Sequence, residues 1–189
     1  MVANADPFEV GVAGLGTSDF IGFGIDVKTV TIIFAPRTNV VIMEFKIQGN
    51  TTRLHLAVND RKFLLDAITM YLDSFEAKTL VNDNKTNKAY GVRKWFMEWG
   101  MLTLNARASA RVNVGYEFKS NAPYFVLTVP EVPNDLYNKG SVVKRSGYFK
   151  LFFTRSQLAE FGEMLIQEYL LSTLDDKNVS RASIDPDVY

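Results

Sequence analysis

The chain has 189 residues, a formal net charge of zero and no cysteine. A hydrophobic fraction of 47% is enough to build a buried core, and the lack of cysteine excludes disulfide frameworks and thiolate metal sites. No run approaches the roughly 20 apolar residues that span a membrane, and residues 1–10 lack the basic residues of a secretory signal. These features predict a folded cytoplasmic protein, in the host cytoplasm or nucleoid if it is phage-encoded.

Charge is unevenly distributed along the chain. Residues 1–87 contain 8 Lys and Arg against 10 Asp and Glu, residues 88–159 contain 11 against 4, and residues 160–189 contain 2 against 7. A polyanion responds to local charge, within a Debye length of about 10 Å. The basic middle of the chain therefore favours a nucleic-acid partner, despite the neutral total.

The predicted elements begin after an N-terminal extension at 1–19. Alternation of apolar and polar residues predicts strands in a first unit at 20–80, and apolar residues at helical spacing predict a helix after them. The strands are expected at 20–27, 29–34, 40–47 and 52–58, and the helix at 60–77. Asn59 is the expected N-cap of this helix.

A polar linker at 81–91 leads to a second unit at 92–172. Its strands are expected at 92–104, 111–118, 124–129 and 147–153, and its helix at 155–172. Thr154 and Gln157 form the capping-box pattern at the start of that helix. The acidic, non-periodic tail at 173–189 is expected to be flexible.

The last strand, the cap and the start of the helix align without a gap between the two halves, which indicates an internal repeat. Each half ends in one amphipathic helix after about four strands. The pattern therefore predicts an α+β fold of two repeated ββββα units with antiparallel sheets.

Local strings carry a resemblance to a known fold. Residues 32–36 read Ile-Ile-Phe-Ala-Pro, and residues 124–129, a long loop and residues 148–161 follow as a hairpin and helix. This pattern, across about 20–172, resembles the Whirly fold of plant single-stranded-DNA-binding proteins and of trypanosome mitochondrial RNA-binding matchmakers. The positive coactivator family carries one such unit per chain.

The resemblance implies a single-stranded DNA-binding protein with little sequence preference, acting in DNA replication, recombination or repair. Apolar residues on both helices and both sheet faces exceed what one unit can cover, so a homo-oligomer is expected. The Lys-Gly-Lys-Ala-Ala-Leu string of plant Whirly proteins is absent, which puts plant-type DNA contacts and assembly in doubt. The acidic tail ending at 184–189 looks instead like the tails of phage and bacterial single-strand-binding proteins. It is the expected contact for protein partners.

Base stacking requires exposed aromatic rings, and phosphates require cations. On strand 147–153, Tyr148, Lys150 and Phe152 share the face opposite Phe149, Leu151 and Phe153. We therefore expect this aromatic–cation–aromatic row to be open to solvent. The matching face of the first unit carries Arg53 and His55.

Residues 92–99 form the second aromatic segment. Arg93, Trp95 and Trp99 share one face and Lys94, Phe96 and Glu98 the other, and the pattern does not show which is outward. The predicted nucleic-acid-binding residues are Lys46, Arg53, His55, Arg93, Trp95, Trp99, Arg111, Lys144, Arg145, Tyr148, Lys150 and Phe152.

Catalytic patterns are poor. His55 is the only histidine, no nucleophile motif is near it, and the Gly-rich residues 11–24 lack the phosphate-loop pattern. We expect no enzyme activity, no cofactor and no metal. Three alternatives stay open: an RNA-binding annealing factor of the same fold, a structural or assembly protein whose sheet faces contact other proteins, and an OB-fold single-strand binder, which would not explain two long helices.

Overall fold

The computed structural model describes residues 6–19, 25–47, 49–83 and 85–184. The strands of this part of the chain are β1 Phe8–Asp19, β2 Asp26–Ala35, β3 Val40–Ile47, β4 Asn50–Leu56, β5 Gly91–Gly100, β6 Ala106–Lys119, β7 Ala122–Val129 and β8 Phe149–Phe153. Its helices are α1 Val58–Glu76, α2 Arg155–Glu163 and α3 Gln167–Ile184, with a 3₁₀ turn at Thr86–Lys88.

The strands form one closed antiparallel barrel in chain order. Each strand pairs with the next, and β1 closes the barrel against β8, from Gly16 opposite Phe152 to Asp19 opposite Phe149. Closure removes the free strand edges at which a sheet would pair with another chain.

Residue size is matched across the barrel interior. Along the β5–β6 pair, Trp95 lies opposite Ala110, Met97 opposite Ala108 and Trp99 opposite Ala106. All of these side chains are buried. Small residues leave room for large ones on the facing strand, so the interior is filled by side chains and contains no open channel along this pair.

Two helices close one end of the barrel. From α1, Leu64 and Tyr71 enter the core, where the Tyr71 hydroxyl donates to the carbonyl of Pro123 at the start of β7 at 2.9 Å. From α2, Phe161 stacks on Phe153 at 5.0 Å between ring centroids. Burial raises the pKa of Tyr71, so its hydroxyl stays protonated and acts as a donor.

A buried arginine joins the helices to the barrel. Arg61 of α1 is only 3% exposed. Its guanidinium donates to Asn39 Oδ1 at 2.7 Å and Gln167 Oε1 at 2.9 Å, which links the β2–β3 turn to the start of α3. Burial lowers its pKa, and these oxygens partly replace the water that the cation has lost.

The opposite end of the barrel is covered by the long connection between β7 and β8. The side chain of Asn134 organises this loop: its Oδ1 accepts from the backbone N–H of Arg107 at 3.0 Å, and its Nδ2 donates to the carbonyl of Val143 at 2.8 Å. The β3–β4 and β5–β6 turns lie at this same end, because neighbouring strands are antiparallel.

The predicted fold class is wrong. The prediction was two repeated ββββα units, each with its own antiparallel sheet, whereas all eight strands of the described chain join one closed barrel. The predicted helix at 155–172 is divided into α2 and α3. The two halves join because β4 pairs with β5 and β1 pairs with β8, and no local pattern reveals these long-range pairings.

Several predicted boundaries also change. Residues 8–19, predicted as part of an extension, form β1 in the barrel wall, and the predicted strand at 20–27 lies mostly outside the described residues. Helix α1 begins at Val58 with Ala57 as its N-cap, two residues before the predicted cap. The predicted flexible tail is helical to Ile184, and residues 185–189 lie outside the described chain.

The cap of α2 is confirmed. Thr154 is the N-cap, and its backbone N–H donates to the Oε1 of Gln157 at 3.0 Å. The reciprocal bond, from the Gln157 N–H to the Thr154 hydroxyl, completes the predicted capping box.

Candidate nucleic-acid interface

One outward face of the β5–β6 hairpin combines cations with an exposed aromatic ring. We call it the hairpin face, and it consists of Lys94, Phe96, Glu98, Arg107, Ser109 and Arg111. In the register, Lys94 lies opposite Arg111, Phe96 opposite Ser109 and Glu98 opposite Arg107. The face turns outward because Trp95, Met97 and Trp99 fill the interior from the alternate positions.

Like charges oppose each other at the centre of the barrel wall. Lys94 and Arg111 are exposed and form a direct cross-strand pair. Like charges in this position are destabilising. Among the described residues, neither side chain lies within 4.0 Å of a carboxylate, and neither does Arg107. A bound anion would relieve this repulsion.

An aromatic ring lies beside these cations. Phe96 is 38% exposed, whereas the tryptophans before and after it in the strand are buried. It forms an edge-to-face pair with the ring of His55 on β4, with 5.0 Å between centroids. The ring is thus held by one neighbour and partly open to solvent, and base stacking requires such an exposed ring.

Two acidic residues near the face already have side-chain partners. Glu98 Oε2 is 2.9 Å from His55 Nε2, and Glu44 Oε2 accepts from Arg53 Nε at 2.6 Å. Burial lowers the pKa of His55, although Glu98 partly opposes that effect. His55 is therefore neutral at pH 7, and the hairpin face carries three cations against one carboxylate.

Two predicted stacking residues are not available. Trp95 is 0% and Trp99 4% exposed, so the prediction that they stack bases is wrong. Their indole N–H groups have no hydrogen-bond partner among the described residues, which is consistent with an apolar interior. Arg93 is exposed but lies over the ring of Phe63 on α1, with its Cζ at 4.3 Å from the centroid.

The predicted open row on β8 is also wrong. Phe152 is 1% exposed, on the outer side of the wall. There the Ile25 side chain lies so close to Gly16, the partner of Phe152, that a Cβ on Gly16 would be 2.1 Å from Ile25 Cγ2. Lys150 Nζ donates to Glu117 Oε1 at 2.5 Å, and Tyr148 is half-buried.

The remaining predicted cations are dispersed. Arg145 pairs with Glu131 at 2.5 Å, and Lys144 lies over the ring of Tyr137 at 5.7 Å, both in the loop after β7. Lys46 is exposed near the end of β3. The predicted single cluster is therefore wrong. Arg53, His55 and Arg111 are the predicted residues that lie on or beside the hairpin face.

Sequence reasoning missed Lys94, Phe96 and Arg107. The signal for the first two was present, because residues 92–99 alternate between two faces and both faces carry an aromatic residue. Arg107 lies just before the strand predicted at 111–118, whereas β6 begins at Ala106. The alanines at 106, 108 and 110 lack the β-branched and aromatic residues that mark a strand.

Comparison with known proteins gives a family but no activity. A family model described as "Uncharacterised Treponema protein" matches residues 16–172. The chain belongs to this family. An uncharacterized protein of Treponema pallidum (strain Nichols) is 32% identical over 129 residues, which are 67% of this chain and 47% of the relative. The chain thus spans about half the length of that relative, and no solved structure matches.

None of the described helices is both long enough and apolar enough to cross a bilayer.

Proposed function

We propose that this protein binds single-stranded nucleic acid, with DNA as the principal ligand and little sequence preference, through the hairpin face. The supporting observation is the pair of opposed cations, Lys94 and Arg111, next to the exposed ring of Phe96. Repulsion between the cations is an energetic cost that a phosphate removes. The ring supplies a stacking surface that accepts any base.

The positions of the cations fit a nucleic-acid strand that lies along the hairpin. From Arg107 to Arg111 the cations extend along β6, over about 14 Å at the usual rise per residue. Phosphates contact these cations while a base stacks on Phe96. Contacts to phosphates and stacking on a ring carry no sequence information, so binding tolerates different sequences. Such a protein acts where single strands are exposed, in replication, recombination or repair.

Salt dependence tests the proposal most directly. Binding of fluorescein-labelled oligo-dT is measured by anisotropy at several NaCl concentrations. Three phosphate contacts predict that log K falls with log salt with a slope of about −2. Absent binding, or a slope near zero, would contradict the proposal and favour the structural or assembly role.

The RNA alternative uses the same face. Matched oligo-dT and oligo-U competitors separate the two, since recognition of RNA requires contacts to the 2′-hydroxyl. Stronger competition by oligo-dT supports the DNA proposal, and stronger competition by oligo-U would replace it with an RNA-binding role.

A further inference from the structure

The turn between β5 and β6 exposes two adjacent apolar side chains. Met101 is 72% exposed and Leu102 96% exposed. The turn lies at the end of the barrel opposite α1 and α2, and it is the tip of the hairpin whose stem carries the hairpin face. Single exposed apolar residues are ordinary, but two neighbours at the tip of a hairpin indicate a contact surface.

The turn has a compact local geometry. A Cβ on Gly100 would lie 1.7 Å from the carbonyl oxygen of Thr103, so only glycine allows the chain to close here. The N–H of Asn105 donates to that same oxygen at 2.9 Å. The backbone therefore holds Met101 and Leu102 outward without support from the core.

We propose that Met101 and Leu102 form an apolar wedge that recognises the junction between single-stranded and duplex nucleic acid. The inference rests on the proposed function, because it requires a single strand along the hairpin face. Where that strand re-enters a duplex, the terminal base pair meets the tip and stacks against the two side chains. Leucine and methionine are among the side chains that insert at base steps in other nucleic-acid complexes.

The charge pattern favours this ligand over a membrane. Among the described residues, the cations without a carboxylate partner continue along the stem from Arg107 to Lys94 and Arg111, which lie about 14 Å farther from the tip than Arg107. A flat anionic surface would meet the tip and the β7–β8 loop at this end and leave those cations of the stem unused. A polyanion that lies along the stem and ends at the tip contacts all of them.

The test compares the binding of two ligands by the wild-type protein and by one double variant. Oligo-dT and a hairpin oligonucleotide with an oligo-dT arm of equal length are titrated, with the arm placed 5′ or 3′. The wild-type protein is expected to bind at least one junction about tenfold more tightly than oligo-dT, as one added stacking contact provides. Met101→Ser with Leu102→Ser is expected to abolish that preference while oligo-dT affinity stays unchanged.

A matched control is Met70→Ser on α1, which removes a 56% exposed apolar side chain far from the tip and is expected to keep the preference. Equal affinity of the wild-type protein for junctions and oligo-dT would overturn the wedge but leave the proposed function intact. Absence of oligo-dT binding would overturn both. Tip-dependent binding to phosphatidylglycerol vesicles, without junction preference, would show that the tip serves a membrane.

Discussion

Two outward faces of the same barrel wall carry a cation two residues from a phenylalanine, and the structure treats them differently. On β5, Lys94 and Phe96 are exposed, and Lys94 faces another cation across the strand pair. On β8, Lys150 is bonded to Glu117 and Phe152 is 1% exposed. The same local pattern is an interface candidate in one place and a packing element in the other.

The difference comes from the neighbours. Lys150 has a carboxylate within 2.5 Å, whereas the residue directly opposite Lys94 is Arg111. An ion pair neutralises a cation locally, while an opposed cation raises its attraction for an anion. A cation next to an aromatic ring therefore indicates a binding face only when no carboxylate pairs with that cation.

The largest expected effect is a loss of stability caused by a substitution on the β8 face. Phe152→Ala should lower the free energy of unfolding by about 3–5 kcal/mol, because a large buried ring is replaced by a cavity. Urea unfolding followed by circular dichroism measures the loss. Oligo-dT affinity of the folded variant should be unchanged. A variant of normal stability that no longer binds would reverse the roles assigned to the two faces.

The next effect concerns the opposed cations. Lys94→Glu combined with Arg111→Glu should weaken oligo-dT binding by about 100-fold and reduce the salt slope, because two phosphate contacts become repulsions. The free energy of unfolding should not fall, because the original pair of like charges already repels and the variant replaces it with another pair of like charges. Anisotropy titrations at two salt concentrations measure the affinity and the slope, and urea unfolding measures the stability.

The matched control removes the β8 ion pair. Lys150→Met with Glu117→Gln eliminates one cation and its partner together, which is close to neutral for stability. Unchanged oligo-dT affinity is expected. If this control weakens binding as much as the double charge reversal does, charge on the hairpin face has no special role.

A smaller effect is expected from the exposed ring. Phe96→Ala should weaken oligo-dT binding by about tenfold, since stacking contributes roughly 1–3 kcal/mol per base. Val92→Ala, which trims another exposed apolar residue of β5, serves as the control and should have no effect. In Phe96→Trp the new indole should be quenched by oligo-dT. If the fluorescence of Phe96→Trp does not change when the oligonucleotide binds, stacking at this position is excluded.

The smallest effect is the pH dependence of stability at His55. Burial lowers the pKa of His55 in the folded state below its ordinary value of 6.5. Between these two pKa values the unfolded chain binds the proton more strongly, so stability should fall as the pH falls below 6.5. Thermal unfolding of the wild-type protein and of His55→Gln at several pH values measures this. An identical pH dependence in both proteins would assign it to other groups.

Much of the local structure could be predicted from the sequence. The capping box at Thr154, the alternation in 52–56 and 149–153, and the apolar positions of α1 were readable because these signals depend on neighbours in the chain. The alanine-rich start of β6 was missed because its small residues are selected by the tryptophans opposite them. That selection acts across strands and leaves no periodic signal of its own.

The candidate site was only partly predictable. Arg53, His55 and Arg111 were placed on outward faces correctly, because apolar residues at the alternate positions of their strands marked the inner face clearly. In 92–99 both faces carry aromatic residues, so alternation defined two faces without showing which one met the core. Phe152 was assigned to solvent because nothing in its own strand reveals the side chain of Ile25 near its partner Gly16.

From the order of its residues, the chain specifies where most strands and helices lie, which residues alternate, and that positive charge concentrates in its middle. Three features follow only from the assembled barrel: β1 closes on β8, the tryptophans point inward, and, within the described part of the chain, Lys150 pairs with a carboxylate while Lys94 does not. Secondary structure follows from interactions between near neighbours in the chain. Burial and ion pairing depend on which distant strands meet, and closure of the barrel settles that.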